Sequence, residues 1–211
     1  MQRILNRKYL AVVFLLSALS IPAQALTIDG YEIAQVIPAT SEHAELKLNG
    51  ASMRILYGVV DTYIGKLYVE NPVTDADELI AANEYKRMVF QVVMKRISGR
   101  RIAKAMYEAL QLNVTPEEAI DLEARLQELV SMFDSSLKKG EESYMEWVPD
   151  KGTRVVLSGE VKGIIPGKDL YDAMLKIWIG ENPVGSTFKK QVLGLEEYQP
   201  PKSMRKKGRR R

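Results

Sequence analysis

The chain of 211 residues predicts an α+β fold, a mostly antiparallel open-faced β-sheet backed by a layer of α-helices. Three observations predict it. Runs rich in Val, Ile and Tyr follow one another, most of them separated by turn residues, which argues for strands in antiparallel series. The helical patterns come together, as a pair in the middle and a pair near the end. Hydrophobic residues make up 46% of the chain, enough for one sizeable core.

In order, residues 27–34 read as a short strand running on to Pro38, and residues 39–45 as a loop that carries His43. Leu46 and Leu48 alternate with Lys47, and Asn49-Gly50 is a turn signal because both residues tolerate positive φ. Residues 53–60 and 62–69 then read as two further strands. Asn71-Pro72 stops the second. A short helix is expected over residues 75–82 with Thr74 as its N-cap, then an interior strand over residues 87–96.

Ser98 is placed to cap a helix reaching Leu110, with Ile102, Met106 and Leu110 on one face and Arg100, Arg101 and Lys104 on solvated faces. Thr115-Pro116-Glu117-Glu118 is a helix start: Thr115 caps, Pro116 takes the first helical position and Glu118 completes a capping box. Its end is expected at Lys138-Lys139-Gly140, where cations meet the negative helix end. Strands follow over residues 143–148, 153–157 and 160–165, joined by turns at residues 149–152 and at Ser158-Gly159. A helix from Lys168 or Asp169 to Gly180 carries Leu170, Ala173, Met174, Ile177 and Trp178, and Ser186 caps a last short helix over residues 187–193. From Glu196 onward an extended tail is expected.

Composition narrows the chemistry. There is no cysteine, which excludes disulfides, thiolate catalysis and cysteine metal sites, and a single histidine, His43, offers no metal-ligand spacing. No P-loop, dinucleotide glycine pattern or nucleophile elbow occurs, so no cofactor and no nucleic-acid partner is expected. Residues 1–25 read as an export signal: Arg3, Arg7 and Lys8, then an apolar run over residues 10–21, then Ala23-Gln24-Ala25 as the cleavage site. A periplasmic location follows as the expectation, with the folded domain over residues 26–195 and a basic, disordered tail over residues 196–211. The formal charge of +3 is misleading, because residues 26–201 carry 20 basic and 27 acidic side chains. The excess of cations comes from the leader and from KSMRKKGRRR at the end, a segment able to meet an anionic membrane surface by charge alone.

Arg54 stands out in an apolar run. A guanidinium is costly to bury unless something anionic meets its fork. One reading is a surface or ion-paired arginine; the other is an arginine at an apolar pocket, where it binds a carboxylate or an enolate.

Three segments together resemble the chalcone isomerase-like family. In LNGASMRILYGVVDTYIGKLYVE the matches are Asn49, Gly50, Arg54, Tyr63, Leu67 and Tyr68. The segment from Lys138 to Gly180 resembles the family's hairpin series and helix at Gly140, Tyr144, Pro149, Gly152, Thr153, Gly159, Ile165, Gly167, Leu170, Leu175, Trp178 and Gly180. The third, ENPVGSTFKKQVLG, matches at Pro183, Val184, Lys189, Leu193 and Gly194. The resemblance implies a sheet backed by helices with a ligand cleft between them. It implies two activities: plant isomerases that close a chalcone to a flavanone, and members that hold a fatty-acid carboxylate through an arginine and a tyrosine. Arg54 aligns with the arginine of both, and Tyr63 falls near the binders' tyrosine. Where isomerases carry a tyrosine, this chain has Ile102. The isomerases also use an asparagine at this strand-to-helix junction, residues 97–109 here; Tyr107 comes later along the helix, and the junction holds no asparagine, the next one being Asn113. The leading expectation is therefore a non-catalytic binder of a small amphipathic acid, with Arg54 and Tyr63 as ligand-binding residues. The alternatives are an isomerase or lyase acting on an enone, and a ligand-free structural protein whose cleft is filled by Met53, Met94, Met106 and Met174.

Overall fold

A computed structural model describes residues 26–200; the export signal expected over residues 1–25 and the basic end of the chain lie outside the described residues. The elements run β1 (Leu26–Ile28), β2 (Tyr31–Ile33), β3 (Val36–Ile37), β4 (Leu46–Leu56), β5 (Val60–Val69), α1 (Ala76–Ala81), β6 (Lys86–Val92), β7 (Arg96–Ser98), α2 (Gly99–Gln111), α3 (Pro116–Met132), β8 (Ser136–Lys138), β9 (Glu142–Val148), β10 (Gly152–Leu157), β11 (Glu160–Ile165), α4 (Lys168–Ile179) and α5 (Ser186–Val192). Seven strands form one antiparallel sheet in the order β11-β10-β9-β6-β5-β4-β3, curled into a half-barrel with the helices on one face. β1 with β2 and β7 with β8 make two small ribbons.

The expected α+β class holds, and several local expectations do not. Residues 27–34 form a hairpin and not one strand: Asp29 and Gly30 turn it at φ 50° and 80°. Asn49-Gly50 makes no turn. β4 runs straight through it with a register shift, since Leu48 faces Tyr68 and Gly50 faces Leu67. The hairpin turns instead at Tyr57-Gly58, with φ 52° and 71° and a bond from the Val59 N–H to the Leu56 carbonyl at 3.1 Å. Asp75, not Thr74, caps α1, its Oδ1 accepting from the Glu78 N–H.

The capping box of α3 is present as read, with Thr115 and Glu118 bonded reciprocally. The helix nevertheless ends at Met132 and not at Lys138-Lys139-Gly140. Phe133 and Leu137 keep helical spacing and are both buried, but the backbone of β8 is claimed by β7 in a two-stranded ladder. Spacing of four cannot separate those outcomes. The strand expected over residues 87–96 likewise stops at Val92. Ser98 and Gly185 precede α2 and α5 without side-chain caps, so Ser186 is the first residue of α5 and not its cap.

The core is split by the sheet. The helix side gathers Leu67, Met88, Met145, Val155, Leu126, Ala173 and Trp178 among others. The outer side is covered by the β1–β2 hairpin, with Ile28 and Ile33 on Met53 and Ile64, and by residues 39–45. His43 lies in that loop as expected, yet it is 9% exposed, its ring centred 4.6 Å from that of Tyr85. Beside it the fully buried Glu146 accepts from Arg87 at 2.6 Å and from Arg154 at 3.0 Å, and Arg154 continues to Glu42.

Lys86 is the one lysine facing the helix side of β6. Its ammonium donates to the carbonyls of Leu79, Ile80 and Ala82 at 2.7, 3.1 and 2.6 Å, closing the end of α1. Burial, helped by the Lys168 ammonium, lowers its pKa to about 8. A lysine depressed in the folded state penalises folding while charged, and the penalty lifts between pH 8 and the unfolded value. Stability is therefore expected to rise by on the order of 1 kcal/mol from pH 8 to 10. Above that it should fall, because burial raises Tyr63, Tyr68, Tyr85 and Tyr171 and their ionisation then favours the unfolded chain. Urea midpoints against pH check this, and Lys86→Met should remove the rise.

Candidate functional site

Between the sheet and α2, α4 and the loop before α5 lies a cavity of about 410 Å³, within the range of ligand pockets. Arg54 on β4 and Tyr63 on β5 stand directly opposite each other across the strand pair, and both line it. Two bulges make this arrangement. Leu46 and Leu48 pack on the outer side of the sheet, so strict alternation would send Arg54 there as well. The extra residue Asn49 shifts the alternation and turns Gly50, Ser52 and Arg54 to the helix side.

Asn49 earns its place by side-chain bonds: its amide donates to the Val192 carbonyl at 3.0 Å and its oxygen accepts from the Val73 N–H at 2.8 Å. Gly50 is needed because a Cβ there would lie 2.0 Å from the Gln191 carbonyl of α5. The second shift sets Ile55 opposite Asp61, and leaves Thr62 over. The Thr62 hydroxyl donates to the Arg54 carbonyl at 2.7 Å. Without this bulge Asp61 would face the cavity beside Arg54. With it, Asp61 shares the outer side with Ile55, away from the guanidinium.

Arg54 Nη1 donates to the Ile55 carbonyl at 2.7 Å, and no carboxylate pairs with the guanidinium among the described residues. Gly185 stands beside it, where a Cβ would come within 3.9 Å of Nη1. Tyr63 is clamped by rings: Phe90 and Phe188 meet it edge-on at 5.6 and 6.1 Å, and Phe188 rests on Gly65. Its hydroxyl accepts from Trp178 Nε1 at 3.0 Å. With a donor already on its oxygen, the phenol proton is left to donate. Burial pushes the Tyr63 pKa up to about 12, opposed by the Trp178 bond and the Arg54 charge, so the phenol stays protonated at neutral pH.

The rest of the wall is largely apolar, with Phe90, Val92, Ile102, Met106, Ile177 and Val184 prominent and Thr62, Ser143 and Asn182 as its uncharged polar members. Arg101, expected on a solvated face, is exposed and also reaches the rim, with Glu108 and Leu112. Sequence reasoning placed Trp178 only as a core residue of its helix; its bond to Tyr63 joins residues 115 apart and has no local signal. The methionines do not fill the cleft. Met106 lines it, whereas Met53 packs on the outer side and Met174 in the core. Tyr107 turns away to donate to Glu123 at 2.9 Å, and Asn113 bonds the loop at Asn182. Ile102 therefore stands in the cavity with no phenol or amide from either.

Arg54 and Tyr63 thus face each other on the wall of a largely apolar chamber between a curled antiparallel sheet and its helices, with Arg101 and Glu108 at its rim. The chain belongs to the chalcone isomerase-like family, whose model matches residues 25–194. No curated protein matches it. Among solved structures it resembles the crystal structure of a fatty-acid binding protein of Arabidopsis thaliana, at a TM-score of 0.64 and 17% identity, covering 81% of this chain and 96% of that one. At that identity the likeness establishes the shared fold.

If the phenol donates to a bound carboxylate, Tyr63→Phe should weaken binding by about 1.5–3 kcal/mol, the range for a hydrogen bond to a charged group. Affinity measured from pH 6 to 10 should stay flat, because the phenol ionises only near 12. Weakening that sets in near pH 10 would show an unperturbed tyrosine.

Proposed function

We propose that the protein binds a small amphipathic carboxylate, a fatty acid being the simplest, and holds it without transforming it. One observation carries the reading: a guanidinium with no carboxylate partner among the described residues lines an apolar cavity opposite a phenol whose proton is free to donate. A carboxylate accepts both groups, and water excluded by the tail strengthens them. The acyl tail lies against Ile102, Met106 and Val184. The fatty-acid binding named for the structural neighbour agrees with this chemistry. Cyclisation of a chalcone needs a positioned proton path, and an isoleucine at 102 supplies none.

Extraction of purified protein followed by mass spectrometry, and titration with fatty acids of graded length, test the proposal. Absence of any acid in the extract together with no uptake in titration sinks it. The leader and the tail belong to the same reading. The protein acts in the periplasm after cleavage behind Ala25, and KSMRKKGRRR holds it near anionic phosphate by charge. Intact mass of the processed chain, and vesicle binding that disappears at high salt, check those two points.

A further inference from the structure

The β4–β5 turn carries apolar side chains into water. Leu56, Tyr57, Val59 and Val60 are 38%, 93%, 80% and 41% exposed. Single exposed apolar residues need no explanation, but four within five positions at a projecting tip form a patch. The turn itself does not ask for them. Its first central position has φ 52°, where Asn, Asp or Gly is the low-cost residue and a bulky aromatic is not. Leu56 belongs at once to this tip and to the cavity wall, and so does the 67% exposed Leu112 to the rim across from it.

Cations crowd the same end of the sheet. Tyr63 pairs with Val92, and the Met94 N–H donates to the Thr62 carbonyl at 3.3 Å, so the chain leaves β6 beside the base of the hairpin. It then passes through Lys95 and Arg96 into the first turns of α2, with Arg100, Arg101 and Lys104, all exposed. Of the nearby acids, Glu108 sits 3.6 Å from Lys104, Asp134 is taken by Lys162, and Asp61, next to Val60, lies with Asp29 on the outer side of the sheet, whereas α2 lies on the helix side.

We propose that this end of the molecule docks on an anionic lipid bilayer, the hairpin tip entering the interface and the basic turn of α2 lying on phosphates. An apolar tip with a tyrosine at the interface, flanked by cations, matches the two-part attraction of peripheral membrane proteins. A second copy of this chain is a poorer occupant, since a two-fold pairing would set one basic rim against the other. The cavity mouth then opens toward the bilayer. The docking does not rest on the identity of the ligand and uses residues other than the basic tail.

Tyr57→Trp places a reporter at the tip, and the native Trp147 and Trp178 are 5% and 2% exposed, so they give a sheltered background. The purified, processed full chain is mixed with vesicles of phosphatidylcholine and phosphatidylglycerol bearing brominated acyl chains, or of phosphatidylcholine alone. The expected result is a blue-shifted, bromine-quenched emission on the anionic vesicles, and about a tenfold loss of partitioning in Val59→Asp. Binding with the reporter unquenched would mean that the tail alone holds the chain, and overturns the proposal, as does no binding. A blue shift without vesicles that grows with protein concentration overturns it in favour of self-association. Acid binding measured without vesicles is a separate readout, so either proposal can fail alone.

Discussion

Arg54→Ala should reduce the affinity for a fatty acid by about 2–5 kcal/mol, which is roughly thirtyfold to several thousandfold. The size follows from what the change leaves behind. A carboxylate in the apolar chamber would lose its cation and keep only the Tyr63 donor, in a place that disfavours an unpaired charge. The same change should barely affect folding, because the guanidinium makes one bond, to the carbonyl of Ile55, and no ion pair among the described residues. Calorimetric titration and a thermal melt on the same sample separate the two effects. Arg54→Lys is expected to recover only part of the affinity, since a lysine keeps the charge and loses the planar fork. Unchanged affinity in Arg54→Ala would remove the anion site from the cavity altogether.

Gly50→Ala should destabilise the protein by about 3 kcal/mol, at the upper end for overpacking. The added methyl would lie 2.0 Å from the Gln191 carbonyl and 2.8 Å from Val192 backbone atoms, and backbone cannot rotate away as a side chain can. Either α5 lifts off β4 or the bulge at Asn49 is expelled. Expulsion would turn Arg54 to the outer side, so binding should fall with stability. Loss of the Asn49 bonds to Val192 and Val73 would accompany both routes. A urea midpoint equal to that of the parent would mean that α5 does not press on this glycine.

The hairpin and the pocket were legible to different degrees. Apolar runs, turn residues and the Thr115–Glu118 box identify most elements, because each signal sits within a few neighbouring residues. The turn at Tyr57-Gly58 was hidden, since a tyrosine at positive φ has no local advantage, while Asn49-Gly50 advertised a turn it does not make. Both residues of that pair do serve a tight backbone approach, made by a helix more than a hundred residues away. The end of α3 is hidden for a similar reason: Phe133 and Leu137 continue the helical period, and only the ladder between β7 and β8 decides otherwise.

The sequence by itself determined the α+β class, the separation of strands and helices, and the presence of one arginine among apolar neighbours. These depend on composition and on short-range periodicity, which survive any change of partners. The tertiary structure alone decided which way that arginine points. A strand's side chains alternate with a period of two, so one extra residue reverses every position after it. Whether Asn49 and Thr62 are such extra residues is settled by contacts with α5 and with the neighbouring strand, and those bonds set Arg54 opposite Tyr63, with Asp61 on the other face.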